Sequence, residues 1–315
     1  MAEKTKDNFY QTIIIGGGPT GLAAAMYAGR LGLKTLVLTK VLGGTIVLTD
    51  VVENYPGFKR LTGLELTEIL KEHALDYDLV TIKEVEVINI KKIKDSFEVI
   101  TDEGKFQTKA LIFATGTKHR QLDVPGANEF ANRGVHYCAL CDGPIYKDKI
   151  VAVAGGSDSA AKEALVLSSF AKKVYIIYRG EHIHPEPINL IRVNQKKNIE
   201  IINKTNVTEI KGDKFVIGVV LDNPYKGSKE LKLDSVFVSI GLIPLSDLAK
   251  KIGVKTNEKG EIIINRKTET NIEGVFAAGD VVDTEFKQAI TGAGEGVTAA
   301  YSAYEYCEAK KVIPT

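Results

Sequence analysis

The sequence predicts an α/β fold of two β-α-β units, and three observations carry that reading. A β-branched run at 11–15 stops at Gly16-Gly17-Gly18-Pro19-Thr20-Gly21, followed by a helical stretch at 22–31 and an apolar strand at 35–38. The pattern returns as a strand at 149–154, the turn Gly155-Gly156-Ser157-Asp158-Ser159-Ala160, a helix at 161–170 and a strand at 173–178. Each unit is trailed by residues alternating with the period of a half-buried strand, at 86–90 and 96–100 and again through 199–241. Paired units of this kind predict two Rossmann-like domains, each a three-layer ββα arrangement, the second inserted in the first.

Composition narrows the function classes. With 315 residues, 44% of them apolar, the chain can bury two ordinary cores. A net charge of +1 gives no electrostatic case for nucleic acid or a membrane surface as partner. The first residues are polar, and no apolar run is long enough to span a bilayer, so a cytoplasmic protein is expected. Three cysteines, Cys138, Cys141 and Cys307, are too few for a secreted disulfide scaffold.

The first turn, Gly16-x-Gly18-x-x-Gly21, lies between strand and helix, the context in which it binds nucleotides. Its first glycine permits the turn, its second lets a pyrophosphate approach the backbone, and its third lets helix and strand pack closely. Thr39-Lys40 stand where an acidic ribose ligand is usual. Downstream, Gly274-Val275-Phe276-Ala277-Ala278-Gly279-Asp280 puts a carboxylate just past a buried strand, placed to accept from the ribityl hydroxyls of FAD. Phe286-Lys287-Gln288-Ala289 then opens a helix whose positive end favours electron density on a flavin.

Cys138-Ala139-Leu140-Cys141 can close a small disulfide or supply half of a metal site. Structural zinc needs four ligands at known spacings. No second cysteine pair exists and the five histidines show no matching spacing, so redox chemistry is expected and no metal. His136 could tune a thiol, but is expected to be a solvated residue near a turn. Cys307, in a helical stretch, receives no role.

With these motifs in place, the chain resembles the low-molecular-weight thioredoxin reductases over essentially its whole length. The resemblance rests on the first glycine turn, Glu53-Asn54-Tyr55-Pro56-Gly57-Phe58, Ala114-Thr115-Gly116-Thr117, Tyr137-Cys138 through Gly143, and the segment ending in Asp280. It implies FAD held by Gly16, Gly18, Pro19, Thr20, Gly21, Gly44, Thr45, Asn54, Ala114, Thr115, Gly116, Gly279, Asp280, Lys287, Gln288 and Ala289. It implies a redox disulfide in which Cys141 faces the flavin, Cys138 attacks substrate and Asp142 moves protons. Electrons would pass from a donor through FAD and this disulfide to thioredoxin or a glutaredoxin-like protein, in a homodimer. The implied FAD domain covers 1–117 and 246–315; the inserted domain, 118–245, carries the cysteines and rotates about hinges at the two crossings.

The second turn departs from the family. Ser157 replaces the glycine that lets a pyrophosphate approach, leaving Gly156, Ser157, Asp158, Ser159 and Arg179 as the NAD(P)H candidates. Of the family's His-Arg-Arg stretch and its following arginine, Arg179 alone remains; Gly180 and His184 replace the others, and Glu181 adds negative charge. Arginine forks suit the 2′-phosphate of NADPH. Three donors therefore stay open: NADPH bound weakly, NADH with Glu181 on the 2′-hydroxyl, or a non-nicotinamide donor such as ferredoxin or a deazaflavin. A ferredoxin–NADP reductase of related fold needs no Cys-x-x-Cys. A peroxiredoxin-reducing module calls for an N-terminal extension beyond the roughly ten residues before the first strand. The rival from another class is a flavin- or metal-binding regulator.

Overall fold

The computed structural model describes residues 8–310. The chain divides into two compact units, one of residues up to Lys118 and from Ile243 onward, the other His119–Leu242. Each is a three-layer Rossmann-like domain.

In the first unit, five parallel strands run in the order Val80–Glu84, Thr35–Thr39, Phe9–Ile15, Gly104–Phe113 and Val275–Ala277. The long Gly104–Phe113 strand also pairs antiparallel with Ser96–Thr101, which pairs with Val87–Ile93, so one strand belongs to both sheet and meander. The period-2 geometry of strands sorts the core. Ile13, Ile15, Leu36, Leu38, Leu111 and Phe113 face the meander residues Phe97 and Val99. Ile14, Val37, Ala110 and Ile112 face the helices Pro19–Arg30 and Ala289–Ala309, through Ala24, Ala28, Ala299 and Ala303. Both faces are covered, which is why these strands read as unbroken apolar runs.

The second unit repeats the plan. Its parallel strands run Ile199–Ile202, Lys173–Ile177, Ile150–Ala154, Ser235–Val238 and Val135–His136, beside an antiparallel sheet of Val207–Gly212, Val216–Tyr225 and Ser228–Lys232. Val151, Val153 and Ile176 pack on the helix Asp158–Leu167; Ala152, Ala154 and Ile177 pack toward the antiparallel sheet.

Element ends differ modestly from expectation. Helices begin earlier than predicted, at Pro19 and Asp158, because the last residues of each glycine turn already form the first helical turn. Proline at the first position of a helix costs nothing there, since its missing N–H would have no intrahelical acceptor. No helix among the described residues is long and apolar enough to cross a membrane.

Candidate active site

The first glycine turn is shaped by contacts that leave one position open. Gly16 has φ +113°, and a Cβ there would lie 2.1 Å from the Ala114 carbonyl oxygen. A Cβ on Gly21 would lie 1.9 Å from the Gly16 oxygen. At Gly18 the nearest atom is the Gly43 oxygen at 3.5 Å, ordinary contact. Gly18 is the N-cap of Pro19–Arg30 and no side chain caps that end. The Gly43 N–H donates to the Gly17 carbonyl at 2.8 Å, laying Gly43, Gly44 and Thr45 alongside the turn.

Thr20 links this turn to the far end of the sequence. Cβ atoms on Gly279 or Gly292 would each sit 2.4 Å from Thr20 Oγ1, and one on Gly296 would sit 2.3 Å from its carbonyl. These glycines let Ala289–Ala309 press against Pro19–Arg30, bringing Gly279 and Asp280 beside the first turn. The Asp280 carboxyl takes no hydrogen bond from the described residues. Burial raises its pKa, Lys287 opposes the rise and Glu295 adds to it. A half-buried carboxyl without donors, an uncapped helix end and a glycine open to an approaching group together fit a dinucleotide with ribityl hydroxyls.

The other candidates in this unit have visible roles. Asn54 Nδ2 donates to Gln288 Oε1 at 3.0 Å, joining two distant segments that the motifs single out. Thr115 Oγ1 donates to the Leu245 carbonyl at 2.7 Å, and Gly116 has φ +63°. Lys287 Nζ donates to the carbonyls of Asp280 and Val282 and lies 2.9 Å from Glu261. Its charge therefore braces the loop after Asp280. Sequence reasoning missed Glu295, whose carboxylate accepts from the Gly279 N–H at 2.7 Å and from Thr284. The signal was a glutamate between Gly292 and Gly296 on the small-residue face of a helix.

In the second unit, Cys138 and Cys141 form a disulfide with Cα atoms 5.4 Å apart. Cys138 is the N-cap of the short helix Ala139–Asp142, and its Sγ accepts from the Cys141 N–H at 3.1 Å. Cys141 is exposed, and the Asp142 side chain is 37% exposed. His136 departs from expectation: it is buried, not solvated, because the Val135–His136 strand pairs with Ser235–Val238 and stacks the imidazole on Phe237.

The second glycine turn keeps its backbone shape. Gly155 has φ +147°, with a Cβ position 2.1 Å from the Ser239 oxygen. Ser157 is the N-cap of Asp158–Leu167, yet its hydroxyl caps nothing. Asp158 is held within the protein: it accepts from the Glu186 N–H at 2.9 Å and from Asn189 Nδ2 at 2.8 Å, and pairs with Lys162 at 2.8 Å. Burial raises its pKa, but those partners outweigh it and the net shift is downward. Ser159 and Arg179 are exposed, and Gly156 packs against the Tyr178 ring. Glu181 pairs with Lys204 at 2.6 Å, a partner that its sequence neighbourhood does not reveal.

Residues 10–296 match the family described as pyridine nucleotide-disulphide oxidoreductase. The thioredoxin reductase of Bacillus subtilis (strain 168) is 37% identical over 311 residues, 96% of either chain. The crystal structure of Lactococcus lactis thioredoxin reductase, in its FR conformation, matches with a TM-score of 0.91 and 38% identity, over 95% of this chain and 99% of that one. A ferredoxin-flavin thioredoxin reductase from Clostridium acetobutylicum is 34% identical with a TM-score of 0.52, covering 96% and 99%.

Proposed function

Because the chain belongs to the pyridine nucleotide-disulphide oxidoreductases, within their low-molecular-weight thioredoxin reductase branch, we propose that it reduces the disulfide of thioredoxin or a glutaredoxin-like protein. The observation that carries this reading is the Cys138–Cys141 disulfide with Asp142 next in the chain, in a protein whose other unit has an FAD-type turn.

Bound FAD would supply a two-electron store between the donor and the disulfide. The turn from Gly16 to Gly21, with Gly44 and Thr45, would hold its pyrophosphate, and Asp280 would accept from its ribityl hydroxyls. Asn54, Ala114, Thr115, Gly116, Gly279, Gln288 and Ala289 would complete the binding site, and Lys287 fixes the loop carrying Asp280.

The chain's own chemistry is thiol exchange. In the reduced pair, Cys138 loses its proton to Asp142 and its thiolate attacks one sulfur of the partner's disulfide. That S–S bond breaks, and the leaving sulfur takes the proton from Asp142. Cys141, deprotonated in turn, attacks Cys138 Sγ; the second partner sulfur leaves with the second proton and the Cys138–Cys141 bond re-forms. Two electrons and two protons pass to the partner.

Ser157, in the place of the glycine that admits a pyrophosphate, and Gly180 and His184, in the places of two arginines, favour a second element of the reading: ferredoxin or a deazaflavin, in place of a nicotinamide, reduces the flavin. We place the protein in the cytoplasm as a homodimer, with neither nucleic acid nor a membrane as partner.

Two measurements test this. The variant Cys138→Ser is expected to lose thioredoxin reduction entirely, and full turnover in it overturns the function. In an anaerobic titration of the yellow holoenzyme, NADPH and NADH are each expected to bleach the flavin band slowly while dithionite bleaches it at once. Rapid bleaching by either nucleotide removes the donor assignment alone.

A further inference from the structure

His136 ends its strand two residues before Cys138, with a ring 3% exposed, and three elements close around it. The Ala139–Asp142 helix brings Asp142 Oδ2 to 3.1 Å from Nδ1. The Gly143–Tyr146 turn brings the Tyr146 hydroxyl to 2.8 Å from Nε2. On the Ser235–Val238 strand, Phe237 stacks on the imidazole at 5.4 Å between centroids and meets the Tyr146 ring edge-on at 5.9 Å. The ionisable groups around the ring are therefore Asp142 at one nitrogen and Tyr146 at the other, with Asp234 acting on Tyr146 from beyond it.

Burial lowers the His136 pKa, with Asp142 opposing, so the ring is neutral at neutral pH and carries one N–H. The partners decide which nitrogen holds it. A carboxylate can only accept, whereas a phenol can donate. The consistent arrangement has Tyr146 O–H donating to Nε2 and Nδ1–H pointing at Asp142. In the disulfide state the Nδ1 contact is close but outside hydrogen-bond angles. Contacts of this kind tighten when a reacting group arrives.

We propose that His136 is a positioning residue for Asp142: its Nδ1–H, oriented by Tyr146, holds the carboxyl beside the Cys138–Cys141 pair in the state that accepts the thiol proton. The inference rests on the proton-transfer role given above to Asp142. His136 keeps its own proton throughout; the transferred proton runs from cysteine sulfur to Asp142 and on to the leaving sulfur.

The test is a single-turnover reaction of the two-electron-reduced holoenzyme with oxidised thioredoxin, followed anaerobically from about pH 5 to about pH 9. His136→Phe keeps the aromatic stack and removes both nitrogens. It is expected to slow exchange about tenfold, because the carboxyl loses the donor that orients it. His136→Asn, whose amide N–H stands near the Nδ1 position, is expected to recover most of the rate. Tyr146→Phe removes one hydroxyl and slows exchange by less, which keeps the test alive if His136→Phe folds poorly. Equal losses in His136→Phe and His136→Asn at every pH overturn the inference and leave His136 a packing residue. A slow Asp142→Asn variant whose loss adds fully to that of His136→Phe overturns the inference alone. Full rate in Asp142→Asn overturns the acid role and the inference with it.

Discussion

Gly18 and Ser157 hold the same place in two turns of nearly the same backbone, with φ/ψ of −75°/−176° in one and −80°/179° in the other. Any residue adopts that conformation. A Cβ at Gly18 meets no protein atom closer than 3.5 Å, and Ser157 shows that a helix starts equally well with a side chain there. The fold itself therefore makes no demand for glycine at 18. The neighbouring positions behave oppositely. Gly16 and Gly155 both have positive φ and both press on a neighbouring carbonyl, so the fold alone demands them. The third position separates the turns again: Gly21 tolerates no Cβ, whereas Ala160 carries one and is fully buried. The lesson is that one glycine pattern mixes positions the fold demands with one it leaves free: the second turn keeps the first glycine, fills the free place with Ser157 and accepts a methyl at the third with Ala160.

Substitutions can break that comparison. Gly21→Ala forces a methyl against the Gly16 carbonyl and is expected to destabilise the first unit by about 3 kcal/mol, read from denaturant unfolding. Stability near wild type would mean that the turn relaxes easily. Three residues after Ala160, the second helix carries Glu163 where the first carries the buried Ala24. Glu163 Oε2 is buried without a partner, and desolvation pushes its pKa up to about 8. The native state then holds a proton that the unfolded chain has lost between about pH 4.5 and about pH 8, so stability falls as pH rises through that window. Glu163→Gln is expected to gain about 2 kcal/mol over wild type above the window and to match it at low pH. Parallel stability curves for the two proteins across the range would refute the assignment.

The ligand-facing positions give smaller effects. Gly18→Ala should leave thermal stability of the flavin-free protein unchanged within about 1 kcal/mol, yet weaken FAD retention about tenfold, measured by flavin absorbance after dilution. Joint loss of both would place Gly18 with Gly16 and Gly21. Ser157→Gly is the mildest: nicotinamide affinity, followed by bleaching of the flavin band, is expected to rise about threefold. No change would locate the obstacle at Arg179 and its neighbours.

Periodicity made the fold legible, because both parallel sheets are buried on two faces and the strands Phe9–Ile15 and Ile150–Ala154 each run into a glycine turn. The sites were legible where one short segment carries the chemistry, as at Cys138 through Asp142. They were not where partners lie far apart in sequence. The environment of His136 depends on Phe237 arriving in parallel register, and that of Glu181 on Lys204. Lys287 reads as a cofactor ligand beside Gln288, but its partners are Glu261 and two carbonyls contributed by the preceding loop.

The division of the chain also sets an order of events at the ribosome. Residues 119–242 form a unit continuous in sequence and can fold as soon as they emerge. The outer unit cannot. Its Gly104–Phe113 strand waits for Val275–Ala277 to pair beside it, and Thr20 waits for Gly279, Gly292 and Gly296. Throughout that interval the apolar edge at Leu111–Phe113 is bare, a place where nascent chains can join one another. The outer unit accordingly closes last, after synthesis of the helix Ala289–Ala309.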